Sequence, residues 1–274
     1  MKIIYKSIIV FLSIFLFLVL YLSFFGLETK KFNSQVYDKV KDINKDLEID
    51  LNDIKISLDL FKFKLVAKTI GPKIRHKDKI LDIENIKTQI SLKSLLKDEF
   101  SVENLEISTK TLEIKKLVSF LRTLKQKPEL YIFEKILKKG YLIADIKIEF
   151  DQNGKIIKNY KVNGLVRDVK VEVFKTYNVK NLNFVFKLDS TKLSLQNIKL
   201  RFNDLDFTSD KILTKFTNDY FLIEGEINNK SLKLDQKNIE LFIKPYFPKF
   251  EIKKVRFNSK NEFSFKLDKK YKFK

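Results

Sequence analysis

Apolar and polar positions follow three different periods along the chain. The first is unbroken: Ser7 to Leu27 holds no charged residue in 21 positions. At about 1.5 Å per residue the run spans roughly 30 Å, the hydrocarbon thickness of a bilayer, and a helix satisfies its own backbone there. A cleaved leader has a shorter apolar core, about 7–15 residues, and small residues at its exit. The exit here is Phe24-Phe25-Gly26-Leu27, so the run reads as an uncleaved anchor. Lys2 and Lys6 precede it and Lys30 and Lys31 follow, which leaves orientation undecided by charge. A short leader before a large body favours a body outside the cytoplasm.

The second period is helical. Phe32, Val36, Val40 and Ile43 form one stripe, predicting an amphipathic helix over 31–45. Then the period drops to two. Leu47, Ile49 and Leu51, then Ile54, Ile56, Leu58 and Leu60, flank Asn52-Asp53 and predict a hairpin. Gly71-Pro72 breaks the pattern before Ile80–Leu92 and the strand of Val102, Leu105 and Ile107. Helices are predicted over Ile114–Gln126 and Leu130–Leu137, with Gly140 as the stop of the second.

From there strands dominate. Ile146, Ile148 and Phe150 lead into the turn Asp151-Gln152-Asn153-Gly154. Val162, Gly164 and Val166 precede Val169, Val171 and Val173. Leu182, Phe184, Phe186 and Leu188 precede Leu193, Leu195, Leu200 and Phe202. Phe221–Ile227 and Leu232–Leu234 read as a further strand pair, and Gln236–Lys244 as a short helix closed by Pro245 and Pro248. Ile252, Val255, Phe257, Phe263, Phe265 and Leu267 finish the pattern.

Strands with one apolar and one wet face belong to antiparallel sheet. The expected fold is mainly β, a β-rich α+β chain: a transmembrane helix, then a curved, mostly antiparallel sheet with a few short helices. Three regions are expected: an anchor over 1–30, a β-rich part with amphipathic helices over 31–139, and sheet over 140–274. The apolar side of such a sheet is either closed by a second layer or left as an open groove able to take hydrocarbon, and alternation fits both. If open, its lining is Ile146, Ile148, Phe150, Val169, Val171, Val173, Phe184, Phe186, Leu188, Leu193 and Leu195.

Composition narrows the chemistry. There is no Cys and one His, His76, so thiolate and His-based metal sites and a Cys nucleophile are excluded, and no cofactor is expected. Walker A, G-x-S-x-G, H-E-x-x-H and G-x-G-x-x-G patterns are absent, and the chain reads as a non-enzyme. His76 is read as an exposed loop residue, and Asp204 and Asp206 as members of a solvated strand face. The net charge of +20 rests on Lys, since only five of 55 basic residues are Arg, the side chain suited to base readout. Nucleic acid is not an expected partner. One local excess stands out: Leu241–Lys274 holds eleven basic and three acidic residues.

One resemblance sharpens this. The anchor ending Phe24-Phe25-Gly26-Leu27 is followed by an amphipathic segment and Asp50-Leu51-Asn52-Asp53-Ile54-Lys55-Ile56-Ser57-Leu58. Leu81-Asp82-Ile83-Glu84-Asn85-Ile86 and Ser94-Leu95-Leu96-Lys97-Asp98-Glu99-Phe100 come next, running into Val102-Glu103-Asn104-Leu105-Glu106-Ile107. Over residues 7–125 this resembles the N-terminal region of the AsmA-like family, which includes the TamB and YhdP relatives. The resemblance implies a bacterial inner-membrane, single-pass protein with a periplasmic β-groove body. It would bind phospholipid or help transfer it between inner and outer membrane, in contact with the inner membrane and with other envelope proteins. Members are typically much longer than 274 residues, so an N-terminal piece or a short member working beside other subunits is expected. The alternative is an anchored envelope scaffold that binds a protein partner and carries no lipid.

Overall fold

A computed structural model describes residues 2–30, 33–62, 64–91, 102–151, 156–174, 176–249 and 251–273. Helix α1 (Lys2–Phe24) is the apolar run, and Ile4–Phe24 is long and apolar enough to cross a membrane, with no part of it buried in the protein. Only Phe25 and Gly26 separate α1 from strand β1 (Leu27–Thr29). The described strands, β8 (Leu112–Glu113, paired with β9, Leu137–Phe150) among them, form one open antiparallel sheet that does not close on itself, and the fold is mainly β.

The chain clusters into two compact units. The first comprises Met1–Lys110 with Asp145–Tyr160, the second Thr111–Ala144 with Lys161–Lys274. Residues 111–139 thus cluster with the strands that follow them.

In the first unit β1, β3 (Ile54–Asp59), β4 (Lys64–Ile70), β6 (Lys79–Ser91), β7 (Val102–Thr109) and part of β9 (Leu137–Phe150) lie in that order. Opposed residues share a face, so the registers build apolar rows across strands. One row runs Leu27, Ile56, Ala67, Thr88, Leu105, Ile148. Its neighbour runs Thr29, Ile54, Thr69, Ile86, Ile107, Ile146. The hairpin expected around Asn52-Asp53 does not form. β2 (Leu47–Asp50) pairs with β5 (Lys73–His76), while β3 pairs with β1 and β4. Helix α2 (Asn33–Ile43) packs beside β2, and the Asn33 amide donates to the carbonyls of Leu51 (3.4 Å) and Asn52 (3.3 Å), holding the crossover. His76, read as exposed, is 2 % exposed, because it ends β5 opposite Leu47.

In the second unit α3 (Ile114–Leu124) and α4 (Pro128–Ile136) form a helical pair tied by the Arg122–Glu134 ion pair. Gly140 does not stop α4. Leu137 enters β9 directly, and Gly140 lies inside that strand at φ 153°, where an added Cβ would meet Val169 Cγ2 at 2.9 Å. The sheet continues through β10 (Ile156–Val173), β11 (Tyr177–Asp189), β12 (Lys192–Phe202), β13 (Leu205–Phe216), β14 (Tyr220–Leu234) and β15 (Val255–Asp268), each antiparallel to the next. The strand pair expected within 221–234 is one strand, β14, kept continuous by a bulge at Ser231. Helix α5 (Gln236–Phe242), capped by the Asp235 carboxylate on the Asn238 N–H at 2.8 Å, joins β14 to the segment before β15. The Asn153-Gly154 turn and the Ser94–Phe100 segment of the resemblance lie outside the described residues.

Candidate functional site

In the second unit one face of β10–β15 forms a continuous apolar surface. Its rows are fixed by register. One runs Gly164, Phe186, Leu195, Ile212, Gly225, Phe263 across six strands, and the next runs Val162, Leu188, Leu193, Thr214, Ile223, Phe265. Gly164 is required by a close approach: a Cβ there would lie 2.5 Å from the Phe186 ring and 2.6 Å from the Ile143 carbonyl. Phe186 thereby covers the glycine gap in the neighbouring strand.

Regular alternation would turn this face over halfway along each strand, because apolar residues change from even to odd positions or back. In β10 the change falls between Val166 and Val169, in β11 between Val179 and Leu182, and in β12 between Leu195 and Ile198. Each change holds a residue with positive φ: Asp168 (52°), Asn181 (52°) and Asn197 (54°). Asn and Asp tolerate that conformation better than other side chains, and it produces a bulge that adds one residue and preserves the face. Two of the bulges are bonded together. Asp168 N–H donates to Asn183 Oδ1 at 3.0 Å, and Asn183 Nδ2 donates to the Asn181 carbonyl at 2.7 Å.

The face has two ends. At one, helices lie on it. Leu137 (0 % exposed), Val166 and Val169 (5 %) are sealed with Ile114 of α3, Leu142, Val171, Leu182, Phe184 and Phe186. Leu205, Leu232, Leu234 and Ile239 of α5 form a second buried cluster with Phe207, Phe242, Ile243, Ile252 and Val255. At the other end Leu188, Leu193, Leu195, Ile212, Ile223, Phe263, Phe265 and Leu267 are each partly exposed, and none belongs to a buried cluster. Between the ends lies a polar seam on the same face: Ser209, Asn229, Ser259 and Asn261. Asn229 Nδ2 donates to Ser259 Oγ at 2.7 Å, Ser259 N–H to Asn229 Oδ1 at 3.0 Å, and Asn261 Nδ2 to Ser259 Oγ at 2.8 Å.

The eleven residues expected to line a groove divide accordingly. Ile146 and Ile148, with Phe150 at the strand end, belong to the first unit, in the rows of β7 and β9. Val169, Val171, Phe184 and Phe186 sit in the helix-covered cluster, and Val173 is paired with Tyr177 beyond it. Leu188, Leu193 and Leu195 are on the uncovered end. Sequence reasoning missed their neighbours Ile212, Ile223, Phe263 and Phe265. The signal was present in β13, where apolar positions shift phase between Phe207 and Ile212.

The opposite face of the same strands is charged and self-paired. Arg201 grips Asp206 with two bonds (2.8 and 3.1 Å), Lys180 meets Asp204 at 3.0 Å, Lys215 meets Glu224 at 2.8 Å and Lys260 meets Glu226 at 3.0 Å. The Arg201 guanidinium holds the Asp206 carboxyl below its ordinary range, and Lys260 does the same for Glu226. Exposed pairs of this kind contribute little stability. A depression of about 560 Å³ is lined by Asp210, Lys211, Glu224, Glu226, Glu262 and Ser264, together with Gly225 and Phe263. Among the described residues no group of His, Asp and Glu side chains is arranged to hold a metal ion.

Compared with family models, with curated proteins and with solved structures, the chain matches none.

Proposed function

We propose that the chain is a membrane-anchored protein of the bacterial envelope that binds phospholipid and helps move it between inner and outer membrane. In this reading α1 sits in the inner membrane and the sheet stands in the periplasm. The observation that carries it is the uncovered end of the apolar face, where at least eight large apolar side chains stay partly exposed on one continuous surface. Each methylene laid there contributes roughly 0.8 kcal/mol, so an acyl chain is held while its headgroup stays wet. The resemblance of residues 7–125 to the AsmA-like family supports the same reading, as does the first unit, whose apolar row begins at Leu27, three residues past α1.

The test is photo-crosslinking from the full chain in cells. Benzoylphenylalanine at Leu195 or Ile223 is expected to capture phospholipid, and at Lys199 on the charged face to capture none. Capture of a protein at Leu195 and Ile223, with no lipid, would replace the reading by an anchored scaffold. Equal lipid capture at all three positions would remove the apolar face from it.

A further inference from the structure

The uncovered end terminates in a structure of its own. After β15 the chain turns sharply at Asp268, whose carboxylate accepts from the N–H groups of Lys270 (2.7 Å) and Lys272 (2.9 Å), while Asp268 N–H donates to the Lys272 carbonyl at 2.8 Å. Tyr271 takes the left-handed conformation, φ 61°, in this turn. The turn sets two aromatic rings beyond the edge of the apolar face. Tyr271 stacks on Phe221 at 5.9 Å and Phe273 lies 5.4 Å from Phe265, yet they remain 74 % and 80 % exposed. Lysines accompany them in the turn and on the neighbouring rings, Lys269 also donating to the Thr217 carbonyl at 2.6 Å. Lys269 Nζ lies 4.3 Å from the Phe221 ring centre and Lys266 Nζ 4.9 Å from that of Tyr220, and residues 266–272 hold four Lys against one Asp.

Exposed aromatic rings cost solvation in water, and the four lysines of 266–272 share their turn with a single carboxylate, Asp268. Both features are satisfied at once at the surface of an anionic bilayer. Tyr and Phe rings settle at headgroup level there, and each nearby Lys adds about 1 kcal/mol of attraction. We propose that this tip, Tyr271 and Phe273 with the lysines of their turn, docks the second unit onto an anionic lipid surface. Docking needs no lipid on the apolar face, so it stands or falls apart from the cargo reading.

The chain contains no Trp, so Phe273→Trp gives a single reporter at the tip. The full-length variant, with its anchor held in a phosphatidylcholine nanodisc, is mixed with vesicles of phosphatidylcholine alone or with three parts in ten phosphatidylglycerol. The expected result is a blue shift of Trp emission and co-sedimentation with the anionic vesicles only, reversed by molar salt. Lys269→Gln, Lys270→Gln and Lys272→Gln together should weaken binding by more than about tenfold. Tyr271→Ser with Phe273→Ser, both at exposed sites and therefore compatible with folding, should abolish co-sedimentation. The proposal is overturned if emission is unchanged by anionic vesicles, or if the triple Lys variant binds as well as the parent. A shift that grows with protein concentration in the absence of vesicles also overturns it, since the tip then meets a second copy of the chain.

Discussion

The two ends of the apolar face in the second unit are made of the same residue types, and differ in what lies above them. At the α3 and α5 end, Val169, Leu205, Leu232 and Leu234 are at most 7 % exposed. At the hairpin end, Leu195, Ile212 and Ile223 alternate just as strictly and stay partly exposed. Alternation therefore marks a face and says nothing about its cover. Cover depends on where two short helices land, and each helix is placed by few residues: Ile114 for α3, and Ile239 with Phe242 for α5.

A charge placed at each end should separate the two most strongly. Val169→Glu puts a carboxylate into a closed cluster and is expected to unfold the second unit, at a cost of several kcal/mol. Leu195→Glu leaves the carboxylate reachable by water, and the far-ultraviolet circular dichroism should stay that of the parent. If both variants fold equally well, the ends are not different in kind. Truncation gives a smaller contrast. Leu137→Ala should cost about 2–5 kcal/mol, and Ile223→Ala about 1 kcal/mol, read from urea midpoints of the full chain.

The bulges that hold both ends on one face supply a third measure. Asn181→Val forces a β-branched residue to φ 52° and should cost about 1–3 kcal/mol, whereas Asn181→Gly should be close to neutral. Equal losses would mean that the Asn181 side chain matters more than its backbone conformation. The smallest effect belongs to the open end. Asp189 shapes the β11–β12 turn, accepting from the Thr191 hydroxyl (2.5 Å) and the N–H groups of Thr191 (2.8 Å) and Lys192 (3.0 Å), which hold its carboxyl below the ordinary range. A lowered folded-state value means stability that is fully present above the unfolded value, about 3.9, and is lost as pH falls through the lower folded one. The advantage of the parent over Asp189→Asn should thus be seen at pH 7 and fade near pH 3.

Much of the fold is legible from residue spacing. The uncharged run, the stripe of Val36 and Val40, and the Ile114, Leu117, Val118, Leu121 face predict α1, α2 and α3, and the alternation from Val162 to Phe202 predicts β10–β12. Pairing across distance is not legible. β2 and β3 look like a hairpin because Asn52-Asp53 is good turn chemistry, but each finds its partner elsewhere, and only the Asn33 contacts reveal the crossover. Gly140 looks like a helix stop because nothing in sequence shows Val169 lying against it. The break within 221–234 looks like two strands because a bulge and a turn leave the same phase change. For the candidate face, periodicity finds Leu188, Leu193 and Leu195 and equally Val169, since it carries no information on the helix above.

The seam of Ser209, Asn229, Ser259 and Asn261 also acts as a ruler. From Asn261 to Leu267 the uncovered face extends six residues, about 20 Å at 3.3 Å per residue, a little more than the roughly 15 Å that one leaflet's hydrocarbon occupies. In the proposed cargo reading, hydrocarbon advancing past that distance would meet the Asn229, Ser259 and Asn261 side chains, already bonded to one another, and displacing them gains nothing. On that reading acyl chains of ordinary length would fit between the seam and the aromatic tip, and longer ones would protrude.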